Sequence, residues 1–309
     1  MQNESGYTTI TPRELKQWLD ERKDFLLIDI LPNEVFVKRH IPGARNACVY
    51  EVTFPDQVAA HASERERAIV VYGSSHVSLD AATAAEKLVR LGYSSVYALA
   101  GGVAAWRKEG LALDGEEPAA ESDPGTRLRL ADGTYKVDPE ASLLTWVGRN
   151  ANKMHHGTVR LAGGEISILG GSLSGVVEVD MRSIQNIDLE GDELQPVLIA
   201  HVESDDFFFV KRFPSAKFAI KSARPVAEPY LGSPNYEVGG AFELRGVQRD
   251  ICFLATVSNL GEGRIAAEAH FDIDRTRWNV LYGSSRFFEH LGMHLVFDPI
   301  TVQLRIVAG

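Results

Sequence analysis

The chain has 309 residues, of which 45% are hydrophobic and 24% are charged, and its formal net charge is −10. Because a domain is typically about 100–200 residues long, this length predicts two domains, each with its own hydrophobic core. Both halves of the chain have a net negative charge. This argues against nucleic acid or an anionic membrane surface as a partner.

Cysteine usage and the N-terminal residues predict a cytoplasmic protein. Cys48 and Cys252 fall in different halves of the chain, which disfavours an internal disulfide and favours a reducing compartment. The first residues, MQNESGYTTITPREL, have neither the basic nor the apolar segment of a signal peptide. No apolar run is long enough to span a bilayer, so we do not expect an integral membrane protein.

Helices and strands alternate in the first domain, which we place at residues 1–116. Thr11 is a predicted helix N-cap, with Pro12 at the first helical position. Short continuous apolar runs, typical of buried parallel strands, lie at 25–30, 69–72 and 96–99, with a predicted helix over 79–91 and another through Trp106. This order predicts an α/β fold with a parallel sheet flanked by helices.

Three motifs in residues 8–113, LLIDILPNEVFVKRHIPGARN, IVVYGSS and LAGGVAAWRKEGL, resemble those of a rhodanese domain. The resemblance implies a six-residue loop opened by a persulfide-forming cysteine, with backbone N–H groups that stabilise the thiolate. In this chain the loop consists of Gly73, Ser74, Ser75, His76, Val77 and Ser78. Glycine therefore stands at the nucleophile position, and Leu31 stands where such domains usually have arginine.

Since glycine has no side-chain nucleophile, we predict a catalytically inactive domain that acts as a regulatory or protein-docking module. Two alternatives remain open for the loop: Ser74 or Ser75 could act as a nucleophile with His76 as base, or the N–H donors could bind a small anion. A third interpretation is that the loop only maintains the fold and has neither a catalytic nor an anion-binding role. Cys48 is interpreted as a small buried hydrophobic residue.

The stretch LALDGEEPAAESDPG is rich in acidic residues, proline and glycine, a composition typical of a linker. We place the linker at 117–130 and the second domain at 131–309. Alternation of apolar and polar residues predicts strands at 142–148, 173–180, 216–221, 236–243, 251–257, 265–272 and 300–306. One short helix is predicted within 189–203, and the aromatic run at 207–209 is predicted to plug a core from a loop. This pattern predicts an all-β barrel or sandwich.

The segment SDDFFFVKRFPSAKFAI resembles the SxDFFxVxxFPxxxF signature of the YceI-like (polyisoprenoid-binding) family. Further matching segments, from KMHHGTV to the closing YGSSRFFEHLGMHLVFDPITVQLRIVA, extend the resemblance over about 133–308. It implies an antiparallel lipocalin-like barrel around an apolar cavity, which holds long prenyl or acyl chains in some members. Some members are exported, so the predicted cytoplasmic location departs from them.

Periodicity alone does not distinguish a ligand cavity from a packed core, and the resemblance decides for the cavity. We predict that its lining includes Trp146, Val177, Phe218, Phe242, Phe253 and Phe271. The predicted function is non-enzymatic binding of a polyprenyl compound, an isoprenoid quinone or a fatty acyl compound, with no cofactor apart from this ligand. The alternative is an enzyme, either an atypical sulfurtransferase or a barrel that transforms its lipid ligand.

Six histidines of the second half raise the question of a metal site. His290 and His294 have the spacing of one helical face, but Gly292 weakens a helix there and only Glu289 lies nearby as a further ligand. His155 and His156 adjoin in a predicted turn. The other two are His201 and His270. We therefore predict no metal site and interpret these histidines as structural or surface residues.

Overall fold

A computed structural model of the chain describes residues 6–119, 130–227 and 229–309. The chain divides into two compact units, Met1–Asp123 and Pro124–Gly309. Most of the predicted linker, 117–130, lies outside the described residues, so the domain bounds stay a prediction. The backbone N–H of Glu117 donates to the carbonyl of Lys38 at 2.8 Å, and Glu117 therefore still contacts the first unit.

The first unit is a five-stranded parallel sheet in the order β1-β5-β4-β2-β3. The strands are β1 Thr8–Ile10, β2 Leu26–Asp29, β3 Arg45–Asn46, β4 Ile69–Tyr72 and β5 Val96–Leu99. The helices are α1 Pro12–Asp20, α2 Asn33–Lys38, α3 Phe54–His61, α4 Asp80–Arg90 and α5 Gly102–Lys108. All residues of the central strands β2 and β4 are buried, which confirms the predicted α/β class and explains their uninterrupted apolar runs.

Helix α1 begins where the sequence predicts it. The Thr11 hydroxyl accepts the Glu14 N–H at 3.2 Å, and the Glu14 carboxylate accepts the Thr11 N–H at 2.7 Å, so that both form a capping box. The sequence did not predict strands β1 and β3, which contain three and two residues, because such short strands carry no measurable periodicity.

The second unit is a closed antiparallel barrel of eight strands, which confirms the predicted fold class. The strands are β7 Leu143–Arg149, β8 Met154–Leu169, β9 Ser172–Asn186, β10 Ser215–Pro225, β11 Tyr236–Leu244, β12 Val247–Gly261, β13 Arg264–Asp274 and β14 Pro299–Ala308. Pairing of β14 with β7 and of β8 with β9 closes the barrel. A further strand, β6 Gly133–Lys136, pairs with β8.

Helix α6, Leu194–Glu203, lies between β9 and β10 and confirms the single short helix predicted within 189–203. It is followed by a turn that contains Phe207 and Phe208, and the ring of Phe208 packs against the barrel core as expected of a plug. Two 3₁₀ helices, Arg275–Trp278 and Gly292–His294, precede β14. No helix in the described part of the chain has the length and apolar character needed to cross a membrane.

The prediction that His155 and His156 lie in a turn is wrong, because both belong to strand β8 and pair with Gly148 and Val147 of β7. The turn comes earlier, at 150–153, where the Asn150 side-chain oxygen accepts the N–H groups of residues 152 and 153 at 2.8 and 2.7 Å. Within the described ranges, no three His, Cys, Asp or Glu side chains lie close enough to hold a metal ion.

Candidate ligand-binding cavity and the loop after strand β4

The barrel encloses a cavity of about 400 Å³, within the size range of small-molecule sites. All eight barrel strands contribute aliphatic or aromatic side chains to its wall. The structure places all six predicted lining residues on this wall: Trp146, Val177, Phe218, Phe242, Phe253 and Phe271. Their contact with a ligand stays a prediction.

Three of these aromatic rings, on strands β10, β12 and β13, form a row of ring contacts. The rings of Phe253 and Phe271 stack at 4.2 Å with an interplanar angle of 8°, and Phe218 lies 5.5 Å from Phe253 on the other side. Although all three side chains point into the barrel, they are only partly buried. Side chains that filled the barrel would bury each other completely, so this partial exposure means that the rings border open space.

The polar residues of the cavity wall all belong to segments at the end of the barrel covered by α6. They lie where β7 ends, where β8 begins, on α6 and in the segment between β13 and β14, and they are Arg149, Asn150, His155, His201, Arg275, Tyr282 and His294. No aspartate or glutamate lines the cavity among the described residues. One end of an otherwise apolar cavity is therefore bordered by polar residues.

Arg275 holds this end of the barrel together and is not available to a ligand. Its guanidinium is fully buried and donates to the carbonyl oxygens of Phe297, Val280 and Val296 at 3.1, 2.6 and 3.0 Å. It thereby fixes the segment that covers the end of the cavity. Burial lowers the pKa of this guanidinium, opposed by the charge of Asp298.

Trp146 presents an unsatisfied donor on the cavity wall. Its indole nitrogen is buried and has no hydrogen-bond partner among the described residues, whereas that of Trp278 donates to the Phe242 carbonyl at 3.0 Å. A buried donor without an acceptor is costly to folding stability.

In the first unit, the loop 73–78 follows β4 and leads into α4. The Asp80 carboxylate lies inside this loop, where it accepts the Ser74 N–H and the Ser74 hydroxyl at 2.9 Å each and the Ala81 N–H at 2.7 Å. A Cβ atom built on Gly73 would overlap this carboxylate. An internal anion thus occupies the space into which a side chain at position 73 would extend.

Among the described residues, no hydrogen bond joins Ser74 or Ser75 to His76. The hydroxyl of Ser74 is engaged by Asp80, while His76 and Val77 are exposed at the surface and Ser75 and Ser78 are partly buried. Cys48 is buried, as its interpretation as a small hydrophobic residue requires. The sequence did not single out Asp80, because an acidic residue in the first turn of a helix is common.

Asp29, at the end of β2, is a second acid that the sequence analysis did not consider. It is fully buried, and one carboxylate oxygen accepts the Leu31 N–H at 2.9 Å. The other oxygen is buried and has no partner at ordinary hydrogen-bond distance among the described residues, although the Tyr72 hydroxyl lies near the carboxyl group. Burial raises the pKa of this carboxyl group from 3.8 to about 6, although the hydrogen bond from Leu31 acts in the opposite direction.

Comparisons with known proteins agree with this architecture. The model of the YceI-like domain matches residues 135–308, more than half of the chain. The chain belongs to the YceI-like family. The model of the rhodanese-like domain matches residues 11–109, so a rhodanese-like domain precedes the YceI-like barrel.

Relatives of each part are recognisable but distant. Over 102 residues the chain is 33% identical to a probable adenylyltransferase/sulfurtransferase MoeZ of Mycobacterium tuberculosis, a match that covers 33% of this chain and 25% of that protein. The chain thus spans about a quarter of the length of the curated relatives it matches.

Two solved structures resemble the YceI-like barrel. Burkholderia cenocepacia BcnA is 20% identical with a TM-score of 0.45, over 56% of this chain and 99% of that one. A polyisoprenoid binding domain from Saccharophagus degradans implicated in plant cell wall breakdown is 17% identical with a TM-score of 0.42, over 56% and 97%.

Asp29 makes the stability of the rhodanese-like domain depend on pH. The pKa of Asp29 is higher in the folded than in the unfolded state, so protonation of Asp29 stabilises the folded domain. This contribution is fully present below pH 3.8 and is lost as pH rises through about 6. At 1.36 kcal/mol per pKa unit, the domain should lose about 2 kcal/mol between pH 4 and 7 relative to Asp29→Asn. Hydrogen exchange of β2 and β4 amides in both proteins measures this difference, and a difference independent of pH would contradict the assignment.

Proposed function

We propose that the YceI-like barrel binds one long apolar molecule, such as a polyprenyl, isoprenoid quinone or fatty acyl compound, without changing it chemically. The observation that supports this most directly is the cavity itself, which runs between aromatic and aliphatic side chains of all eight strands. Burial of apolar surface contributes about 25 cal/mol per Å² removed from water, so a long chain can bind with several kcal/mol and without a specific polar contact. No cofactor other than this ligand is required.

We infer that the rhodanese-like domain is catalytically inactive and acts as a regulatory or docking module. Gly73 provides no nucleophile, and the Asp80 carboxylate occupies the loop that would have to bind an anionic substrate. Val77 and Leu79 of the same segment are each 79% exposed, which favours contact with another molecule over the sequestered loop of an enzyme.

Native mass spectrometry of the purified protein tests the binding function. We expect a population heavier than the polypeptide by one hydrophobic molecule, and denaturing extraction should release that molecule unchanged. Protein that carries no such mass, and that also takes none up when incubated with a total lipid extract, would contradict the proposal.

A further inference from the structure

The cavity opens at the end covered by α6, and apolar side chains lie at the opening. Met293 and Phe297, in the segment between β13 and β14, both line the cavity, yet they are 84% and 41% exposed. A side chain that borders the cavity and also faces solvent marks the mouth through which a ligand passes. Exposed apolar groups therefore border this mouth in addition to the polar residues described above.

Further exposed apolar side chains on α6 and on the same segment adjoin the mouth. The six residues, which we call the mouth patch, are Leu194, Val197, Phe287, Phe288, Met293 and Phe297. The two on α6 share one helical face with His201, whose ring lies edge-on to that of Tyr282 at 4.6 Å. The Val296 N–H donates to the Gly283 carbonyl at 2.8 Å, which joins the two parts of the segment between β13 and β14. The members of the patch are thus neighbours in space although they come from separate stretches of the chain.

Apolar exposure continues on the other side of the mouth. The Phe297 N–H donates to the Arg149 carbonyl at 2.9 Å, and Arg149 pairs with Met154, which is exposed. Ile187, which is also exposed, donates its N–H to the His156 carbonyl at 2.9 Å. Exposed apolar side chains therefore lie on both sides of the mouth, and a group of such side chains rimmed by polar residues is typical of an interaction surface.

The charges beside the mouth patch favour an electroneutral partner. Exposed acidic residues precede α6 and follow Phe288, and they are Glu190, Asp192, Glu193 and Glu289. Lys153 adds a positive charge, whereas the positive charge of Arg286 is paired with Asp274 at 2.8 Å. The balance is negative, so an anionic lipid surface would be repelled.

We infer that the mouth patch docks on the surface of an electroneutral lipid bilayer and that the apolar ligand passes between bilayer and cavity there. The inference rests on the proposed binding of a long apolar chain. In water, every methylene group that leaves the cavity has to be hydrated, whereas a mouth held against a bilayer lets the chain pass from one apolar environment into another. Insertion of the patch side chains into the lipid interface supplies the affinity for the bilayer. A protein partner would keep the chain out of water only if it had an apolar cavity of its own.

Sedimentation of the intact chain with phosphatidylcholine vesicles tests this inference. We expect the wild type to sediment with the vesicles and to lose affinity, at low ionic strength, when about a third of the lipid is replaced by phosphatidylglycerol. Val197→Glu combined with Phe288→Glu should weaken vesicle binding by about tenfold or more and slow the transfer of geranylgeraniol from vesicles to protein by a similar factor. Binding of geranylgeraniol added without vesicles should be unchanged, because neither side chain lines the cavity.

The matched control is Leu169→Glu combined with Leu231→Glu, which makes the same change at two exposed residues of the opposite end of the barrel, where β8 ends and β10 connects to β11. It should behave as the wild type does. If the wild type does not sediment with phosphatidylcholine vesicles, or if both double variants lose vesicle binding equally, the inference is overturned and a protein partner becomes the alternative occupant of the patch. Failure of the wild type to bind geranylgeraniol without vesicles would instead overturn the proposed function, so the two failures are distinguishable.

Discussion

Phe253→Asp is expected to weaken binding of an apolar chain by about 100-fold or more, because a buried ionisable group must lose its hydration when the ligand covers it. Phe253 lies at the centre of the aromatic row, between Phe218 and Phe271, on the cavity wall. Its replacement removes a stacking partner and puts a carboxylate at the point where the chain would pass. The affinity is measured by titration of ligand-free protein with geranylgeraniol.

The neighbouring residue provides a matched control. Leu254 is on the same strand and 51% exposed, so Leu254→Asp makes the same chemical change outside the cavity and should leave the affinity unaltered. If Phe253→Asp does not fold, Ala267→Phe offers a second test, because Ala267 also lines the cavity and a larger apolar side chain would fill the space instead of charging it. Unaltered affinity in a folded Phe253→Asp protein would exclude the cavity as the binding site.

Most barrel strands could be predicted because one face meets solvent and the other meets the cavity, so hydrophobicity alternates strictly along them. The longest strand, β8, was not predicted, and its pattern is interrupted by glycines and a shift of register near Gly163. A Cβ atom at Gly164 would overlap the Val176 carbonyl of β9. Glycine at this position allows the two backbones to approach closely. Hydrophobic periodicity gives no indication of this requirement.

The grouping of polar residues at one end of the cavity could not be predicted, for a different reason. Arg149, His155, His201 and His294 come from four separate segments, and each alone is an ordinary surface residue in its local sequence. They border one space only because the barrel closes between β14 and β7. In the same way, Asp80 becomes significant only when α4 places its carboxylate against Gly73, seven residues earlier in the chain.

The contact between Gly73 and Asp80 predicts that a cysteine cannot simply be restored at position 73. The new side chain of Gly73→Cys would overlap the Asp80 carboxylate, and overpacking of a buried site typically costs about 1–3 kcal/mol. We expect this variant to be destabilised by that amount and, like the wild type, to transfer no sulfur from thiosulfate to cyanide. The free energy of unfolding and the rate of thiocyanate formation are the two measurements.

Asp80→Ala removes the obstacle and should reduce the destabilisation caused by Gly73→Cys. Alone it costs about 1–3 kcal/mol, because the Ser74 N–H and hydroxyl lose their acceptor. In that background, Gly73→Cys should cost much less than in the wild type, so the double-mutant cycle should give a coupling of about 1 kcal/mol or more. If the free-energy effects of the two substitutions are simply additive, the loop accommodates the cysteine side chain without strain. Thiocyanate formation above background by the wild type would show that a residue other than 73 carries the sulfur and that the domain is not inactive.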